Sequence, residues 1–172
     1  MKVLVVVDMQ NDFIDGALGT PEAVKIVEAV KHKIKQFTEA GEQVVYTQDT
    51  HEAHYLDTQE GRNLPVVHCV KGTEGWNLAE GIYMEGCKVI EKPSFGSPAL
   101  GEYLRQFSEI EEIHLVGICT DICVITNAFL LKSYFPEVPI YVDAHCCAGV
   151  TPEQHTQALE AMKVCQIHIE ND

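Results

Sequence analysis

The strongest constraint on this chain is a set of short, almost unbroken apolar runs rich in Val and Ile. They are Val3–Val7, Gln43–Thr47, Cys87–Glu91, Ile113–Gly117, Ile140–Val142 and Cys165–Ile169. A strand with one wet face alternates apolar and polar residues, whereas a run without alternation needs cover on both faces. Segments with helical period lie between most of the runs and supply that cover. Pro21–Ala40 sets Ala23, Val24, Ile26, Val27, Val30, Ile34 and Phe37 along one face. Thr20 is its natural cap, Pro21 fits its first turn, and Gly41 is a left-handed stop. Helical segments are also expected near Pro98–Phe107, Thr120–Tyr134 and Pro152–Lys163, the last opening on Thr151-Pro152. Strand and helix in alternation predict a single three-layer α/β/α domain over residues 1–172. Its Rossmann-like sheet is expected to be mostly parallel, of about six strands, with right-handed crossovers. One segment breaks the rhythm. Gln48–Gly86 carries His, Asp, Gly and Pro with no sustained helical period, and an excursion of that length is usually functional.

Charge narrows the partners. Twelve Lys and Arg stand against 26 Asp and Glu, a net charge of −14, with no basic stripe to compensate. Such a surface repels phosphate backbones and anionic membranes, so neither nucleic acid nor membrane is an expected partner. The apolar residues before Asp8 number only five, Val3 to Val7, too few for the ~7–15-residue core of a secretory signal. Seven cysteines at irregular spacing suit reduced thiols better than a disulfide framework, and a cytoplasmic location is expected. Small wound domains often self-associate through exposed apolar surface, so a homo-oligomer is compatible with the sequence.

In a wound parallel sheet, ligands bind beyond the carboxyl ends of the strands. The residues following the first four runs are therefore informative. Asp8, Gln10, Asn11, Asp12 and Phe13 follow the first, and Asp49, His51 and His54 the second. Lys92 follows the third, and Thr120, Asp121 and Cys123 the fourth. Cys123 falls in the first turn of an expected helix, where free N–H groups and the helix dipole favour an anion and could hold an oxyanion. A thiol attacking an amide needs a base that later returns the proton to the leaving amine, which suits Asp8. A cation such as Lys92 beside both would favour the thiolate and keep Asp8 ionised. Read singly, Cys123 is equally a small buried hydrophobe and Asp8 a turn residue. The convergence of the three favours catalysis.

A second constellation is Asp49-Thr50-His51 with His68. Asp and His two apart on an extended segment point to one side, and a third imidazole completes a facial N2O set. That set suits a divalent metal ion, zinc first and iron or manganese as alternatives, with His54 and Glu60 as extra candidate ligands. His32, His114 and His155 read as surface or helix positions without a role. No G-x-G-x-x-G or G-x-x-x-x-G-K-[ST] is present, and neither Cys119/Cys123 nor Cys146-Cys147 has C-x-x-C spacing.

These residues occur in an order that resembles the isochorismatase-like cysteine hydrolases. Val-Val-Asp8-Met-Gln-Asn-Asp-Phe13 with Gly16 is similar to the opening of that superfamily. Thr47-Gln-Asp49-Thr-His51 and His68-Cys69-Val70-Lys71-Gly72-Thr73 resemble the metal segments of its nicotinamidase (pyrazinamidase) branch. Lys92-Pro-Ser-Phe95 resembles the lysine segment, and Gly117-Ile-Cys119-Thr-Asp121-Ile-Cys123-Val the nucleophile segment. The likeness runs to Asp143-Ala, where the fifth run was expected to end. It implies an Asp8–Lys92–Cys123 triad and an oxyanion hole from the backbone N–H groups of Cys119 and Cys123. It further implies a cis peptide between Ile118 and Cys119, a metal at Asp49, His51 and His68, and aromatic pocket walls at Phe13 and Phe95. The reaction implied is hydrolysis of a small carboxamide, nicotinamide to nicotinate and ammonia, through a thioester. A related cysteine hydrolase acting on another small amide, an N-carbamoyl compound or a ureide is the alternative enzyme. A non-catalytic small-molecule or metal-binding module is the alternative outside enzymes.

Overall fold

A computed structural model describes residues 1–172. Six strands, β1 (Lys2–Val7), β2 (Gln43–Asp49), β3 (Lys88–Lys92), β4 (Glu112–Ile118), β5 (Ile140–Ala148) and β6 (His168–Glu170), form one sheet in the order 3-2-1-4-5-6. Every pairing is parallel. That order reverses direction between β1 and β4, and a crevice opens outside the strand ends at such a switch point.

Helices α1 (Asn11–Ile14), α2 (Pro21–Glu39), α3 (Gln59–Asn63), α4 (Pro98–Leu104), α5 (Ile125–Tyr134) and α6 (Pro152–Val164) surround the sheet. Leu4, Val6, Val44 and Tyr46 pack against Ala23, Ile26, Val30 and Ile34 of α2 on one face. Val3, Val5, Leu115 and Val142 pack against Leu104, Ala128, Leu131 and Leu159 of α4, α5 and α6 on the other. Strands buried on both faces explain the unbroken apolar runs. The expected caps hold: Thr20 and Thr151 each accept a backbone N–H of their own helix first turn, and Gly41 ends α2 with φ +72°. No helix is long and apolar enough to cross a membrane.

Four expectations change in detail. β5 runs on past Val142 to Ala148, because polar Asp143 is held by Lys33 (2.8 Å) and Asn171 (3.0 Å), so its charge does not end the strand. β6 starts at His168, not Cys165, since Cys165 and Gln166 close α6 with Gln166 at φ +63°. Thr120–Val124 forms a wide turn ahead of α5, in which the Val124 N–H bonds the Cys119 carbonyl five residues back. His114 is neither on a helix nor at the surface: it is buried in β4, stacked on Tyr141 and 2.9 Å from Glu112. The excursion holds only α3 and a short turn at Tyr55–Asp57, and it packs on the α2 face.

Candidate active site

The switch point gathers the side chains that the strand ends deliver. Asp8 follows β1 directly in the left-handed region (φ +48°), an uncommon conformation that Asp tolerates better than most residues. Gly117 beside it has φ +120°, and any Cβ there would overlap the Val7 carbonyl oxygen, so β1 and β4 close up only around glycine. Lys92 is the last residue of β3, and Cys123 lies in the wide turn after β4.

These three meet in the interior. Lys92 Nζ is 2.6 Å from Asp8 Oδ2, 3.5 Å from Cys123 Sγ and 3.4 Å from Asp49 Oδ1, and it donates to the Ser94 carbonyl at 2.9 Å. Thr47 Oγ1 donates to Asp8 Oδ1 at 2.6 Å. Burial works against the charged form of Lys92, yet Asp8, Cys123 and Asp49 more than offset it, so Lys92 remains an ammonium. Burial, with the nearby Asp49 charge, raises the Asp8 carboxyl above its ordinary value against the pull of Lys92 and Thr47. Burial and the Asp8 charge push the Cys123 thiol well up, outweighing Lys92. Lys92 pulls toward the thiolate as expected from the sequence, but burial and the Asp8 charge pull the other way.

The peptide between Ile118 and Cys119 is cis. The Cys119 N–H finds no backbone acceptor, while the Cys119 carbonyl takes the N–H groups of Ile122 and Val124.

A cavity of about 220 Å³ extends from Cys119 and Cys123 to Asp49, Glu60 and His68. It is smaller than the ~300–1,000 Å³ of drug-sized sites and suits a ligand of single-ring size. Phe13 and Phe95 both line it, Phe13 almost wholly buried and Phe95 44% exposed. Beside it, one ligand atom each from Asp49, His51 and His68 lies within 4.8 Å of the others. His51 Nε2 is 2.9 Å from Asp49 Oδ2, and Glu60 Oε1 lies 3.5 Å from His51 Nε2 and 3.8 Å from His68 Nε2. Two observations fit a divalent ion. His51 Nε2 is buried without a well-formed hydrogen bond, and the Val66 carbonyl 2.7 Å from His68 Nδ1 leaves Nε2 to face the cluster. Burial opposes the charge on Asp49, but His51, His68 and Lys92 prevail and hold its carboxyl well below the usual range. Burial and the Asp49 charge push Glu60 up.

Of the other strand-end residues, His54 is exposed and away from the cluster, and Asp121 accepts the Val150 N–H at 3.0 Å. Asp12 accepts the Cys69 N–H at 2.8 Å, tying the excursion to α1. Trp76 donates its indole N–H to Thr50 Oγ1 (2.9 Å). Sequence reasoning assigned no role to three orienting residues, although Gln10 was placed at a strand end. Gln10 grips Asp49 by its backbone, accepting its N–H at 2.7 Å and donating to its carbonyl at 2.9 Å. Thr47 fixes Asp8, and Asn127 Nδ2 donates to the Cys123 carbonyl at 2.8 Å. Their only sequence signal is position, each one or two residues, or one helical turn, from a candidate.

The isochorismatase domain family matches residues 2–170. The Bacillus subtilis (strain 168) isochorismatase family protein PncA is 32% identical, covering 92% of each chain. Among solved structures, the pyrazinamidase of Pyrococcus horikoshii in complex with zinc superposes with a TM-score of 0.86 at 30% identity, covering 98% of this chain and 97% of its own. The N-carbamoylsarcosine amidase of Thermoplasma acidophilum superposes with a TM-score of 0.82, also at 30% identity, covering 98% and 95%.

Proposed function

The chain belongs to the isochorismatase family of hydrolases, and on that premise we propose that it hydrolyses a small neutral carboxamide, nicotinamide or a close pyridine analogue, through a Cys123 thioester. The observation that carries this reading is the buried contact set of Lys92 with Asp8 and Cys123 beside a ring-sized cavity that Cys123 lines together with Asp49 and His68 of the Asp49, His51, His68 cluster.

Asp8, with its raised pKa, takes the Cys123 proton as the sulfur attacks the carboxamide carbon; a stronger conjugate base than an ordinary carboxylate is what a buried thiol requires. The N–H groups of Cys119 and Cys123 receive the oxyanion. Asp8 returns the proton to departing ammonia, then deprotonates the water that cleaves the thioester and passes that proton to the Cys123 sulfur as it leaves. Lys92 stays cationic throughout and stabilises whichever neighbour is anionic. Asp49, His51 and His68, with Glu60 beside them, would hold the divalent ion, which when bound acts as a Lewis acid toward a ring nitrogen. Zinc is the first choice, in keeping with the zinc complex of the Pyrococcus horikoshii relative. Phe13 and Phe95 would sandwich the ring. Triad roles, metal identity and substrate all form part of this proposal.

The N-carbamoylsarcosine amidase neighbour keeps a second reading in view, a hydrolase of an N-carbamoyl compound. No Arg or Lys lines the cavity to pair a substrate carboxylate, which favours the neutral amide. An ammonia-release assay over nicotinamide, pyrazinamide, carbamoyl amino acids and ureides decides. Turnover of the pyridine and pyrazine amides above the others is expected; preference for a carbamoyl amino acid would replace this reading with the second.

A further inference from the structure

The wide turn that carries Cys119 and Cys123 has an anchor outside the cavity. Thr120 is wholly buried, and its hydroxyl has one side-chain partner, His155 Nδ1 at 2.7 Å, from the first turns of α6. The neighbouring Asp121 carboxylate takes the Val150 N–H from the segment just before that helix. Gly149 allows the approach, since a Cβ there would run into the His155 backbone. The two polar side chains between the oxyanion donor and the thiol are thus both fastened to the start of α6. We propose that His155 is a positioning residue, holding through Thr120 the turn that aligns the Cys119 N–H and the Cys123 sulfur with Asp8 and Lys92. The inference rests on Cys123 being the nucleophile. It concerns the turn alone, because neither Thr120 nor His155 is among the residues of the Asp49, His51, His68 cluster or lines the cavity.

Replacing His155 with Leu leaves the Thr120 hydroxyl buried without a partner, and the turn shifts to relieve it. Small misplacements of reacting atoms are costly, so kcat is expected to fall about 10–100-fold, with KM within about twofold of wild type. His155→Asn keeps a polar atom near the Nδ1 position and should recover most of the loss. His155→Gln, whose polar atoms reach further, should not. Thr120→Val should match His155→Leu, and the double variant should be no worse than either single one, as for two residues acting through one contact. A substrate-free readout accompanies these: the rate at which iodoacetamide alkylates Cys123, followed by peptide mass spectrometry to separate it from the other six thiols. It should slow in His155→Leu and recover in His155→Asn. Wild-type kcat in His155→Leu, an alkylation rate equal to or above wild type, or additive losses in the double variant would each overturn the inference. If His155→Leu does not fold, the contrast between Asn and Gln carries the same decision. Absence of amide turnover from the wild-type protein would overturn the proposed function and leave the alkylation comparison to decide on His155.

Discussion

At the Cys123 end of the cavity, Asp8 and Lys92 sit at the ends of central and edge strands, and the thiol sits in a turn rooted in β4. At the other end only Asp49 rests on a strand, while His51, Glu60 and His68 come from the irregular stretch between β2 and β3. The first end is held by strand ladders and by buried charges in direct contact. The second is held by individual bonds: Gln10 on Asp49, the Cys69 carbonyl on the His51 N–H, and Asp12 on the Cys69 N–H. The contrast sets the proposed bond-breaking groups at strand ends and the turn after β4, and most of the proposed metal ligands on the segment between β2 and β3. Changes at the two ends should therefore separate in kinetics, one falling on kcat and the other on KM and metal content.

Removing the sulfur should give the largest effect. Cys123→Ala is expected to lower amide turnover by more than ~10⁴-fold, because no other group there forms the acyl-enzyme. Cys123 is buried and a methyl group fits its place, so thermal unfolding and metal content by elemental analysis should match wild type. Residual turnover within tenfold of wild type would mean that the sulfur is not the nucleophile, and the two ends would then no longer differ in role.

His51→Ala tests the opposite end. It removes one atom of the proposed ligand set, so bound metal should be lost and kcat/KM should fall roughly 10²-fold, mainly through KM. Alkylation of Cys123 should persist, since Lys92 keeps its direct contacts to Asp8 and Cys123 and His51 reaches it only through Asp49. Treating wild-type protein with a chelator should reproduce the variant, and added zinc should reverse only the chelated sample. Full activity in metal-free protein would remove the ion from the mechanism.

The same division governs what was legible from the sequence. Strand ends are marked by apolar runs, so Asp8, Lys92 and Cys123 could be placed at one edge before any coordinates. His68 could be named by residue type and Glu60 only as a candidate, because a segment without periodicity hides which residues turn inward. Asp143 and His145 concealed the second half of β5, since charge and polarity imitate a strand end unless the Lys33 partner is known. His114 was misread for the same reason: Glu112 and a stacked Tyr141 make a buried imidazole tolerable, and neither contact shows in spacing. Thr47, Gln10 and Asn127 act through their neighbours, and that kind of role leaves no pattern of its own.

A pH profile separates the ends by charge. Asp8 has its carboxyl raised above the ordinary 3.8, mainly by burial, whereas Asp49 is held below it by His51, His68 and Lys92 despite burial. As pH falls, Asp8 gains its proton first and the base is lost while Asp49 is still ionised. The acid limb of kcat/KM, which reports the free enzyme, should therefore lie above pH 3.8, with activity falling about tenfold per pH unit below it. No descending limb should appear near the ordinary thiol value of 9.0, because the Cys123 thiol is pushed well above it. An acid limb at or below 3.8 would mean that Asp8 is not the base.

The two aromatic walls give the smallest effect and the finest division. Phe13 lies almost wholly buried with its ring 5.5 Å from His68, so it belongs to the ligand-defining end and also to the core of the α2 face. Phe95 follows Lys92 by three residues, and its carbonyl accepts Asn127 Nδ2 at 3.2 Å, but the residue is 44% exposed where it lines the cavity. A side chain that already meets water contributes only part of the ~1.5–3 kcal/mol of a fully buried one, so Phe95→Ala should cost binding about 1 kcal/mol, or roughly fivefold in KM. Its backbone bond to Asn127 survives truncation, which leaves the Cys123 turn in place and kcat within about twofold. Phe13→Ala, by contrast, opens a cavity in the core and should lower stability by ~3–5 kcal/mol as well as raising KM. Steady-state kinetics and thermal unfolding of both variants make the comparison. If Phe95→Ala lowers kcat as strongly as it raises KM, the aromatic wall and the sulfur are coupled, and the proposed division between chemical groups and binding groups fails where the two meet.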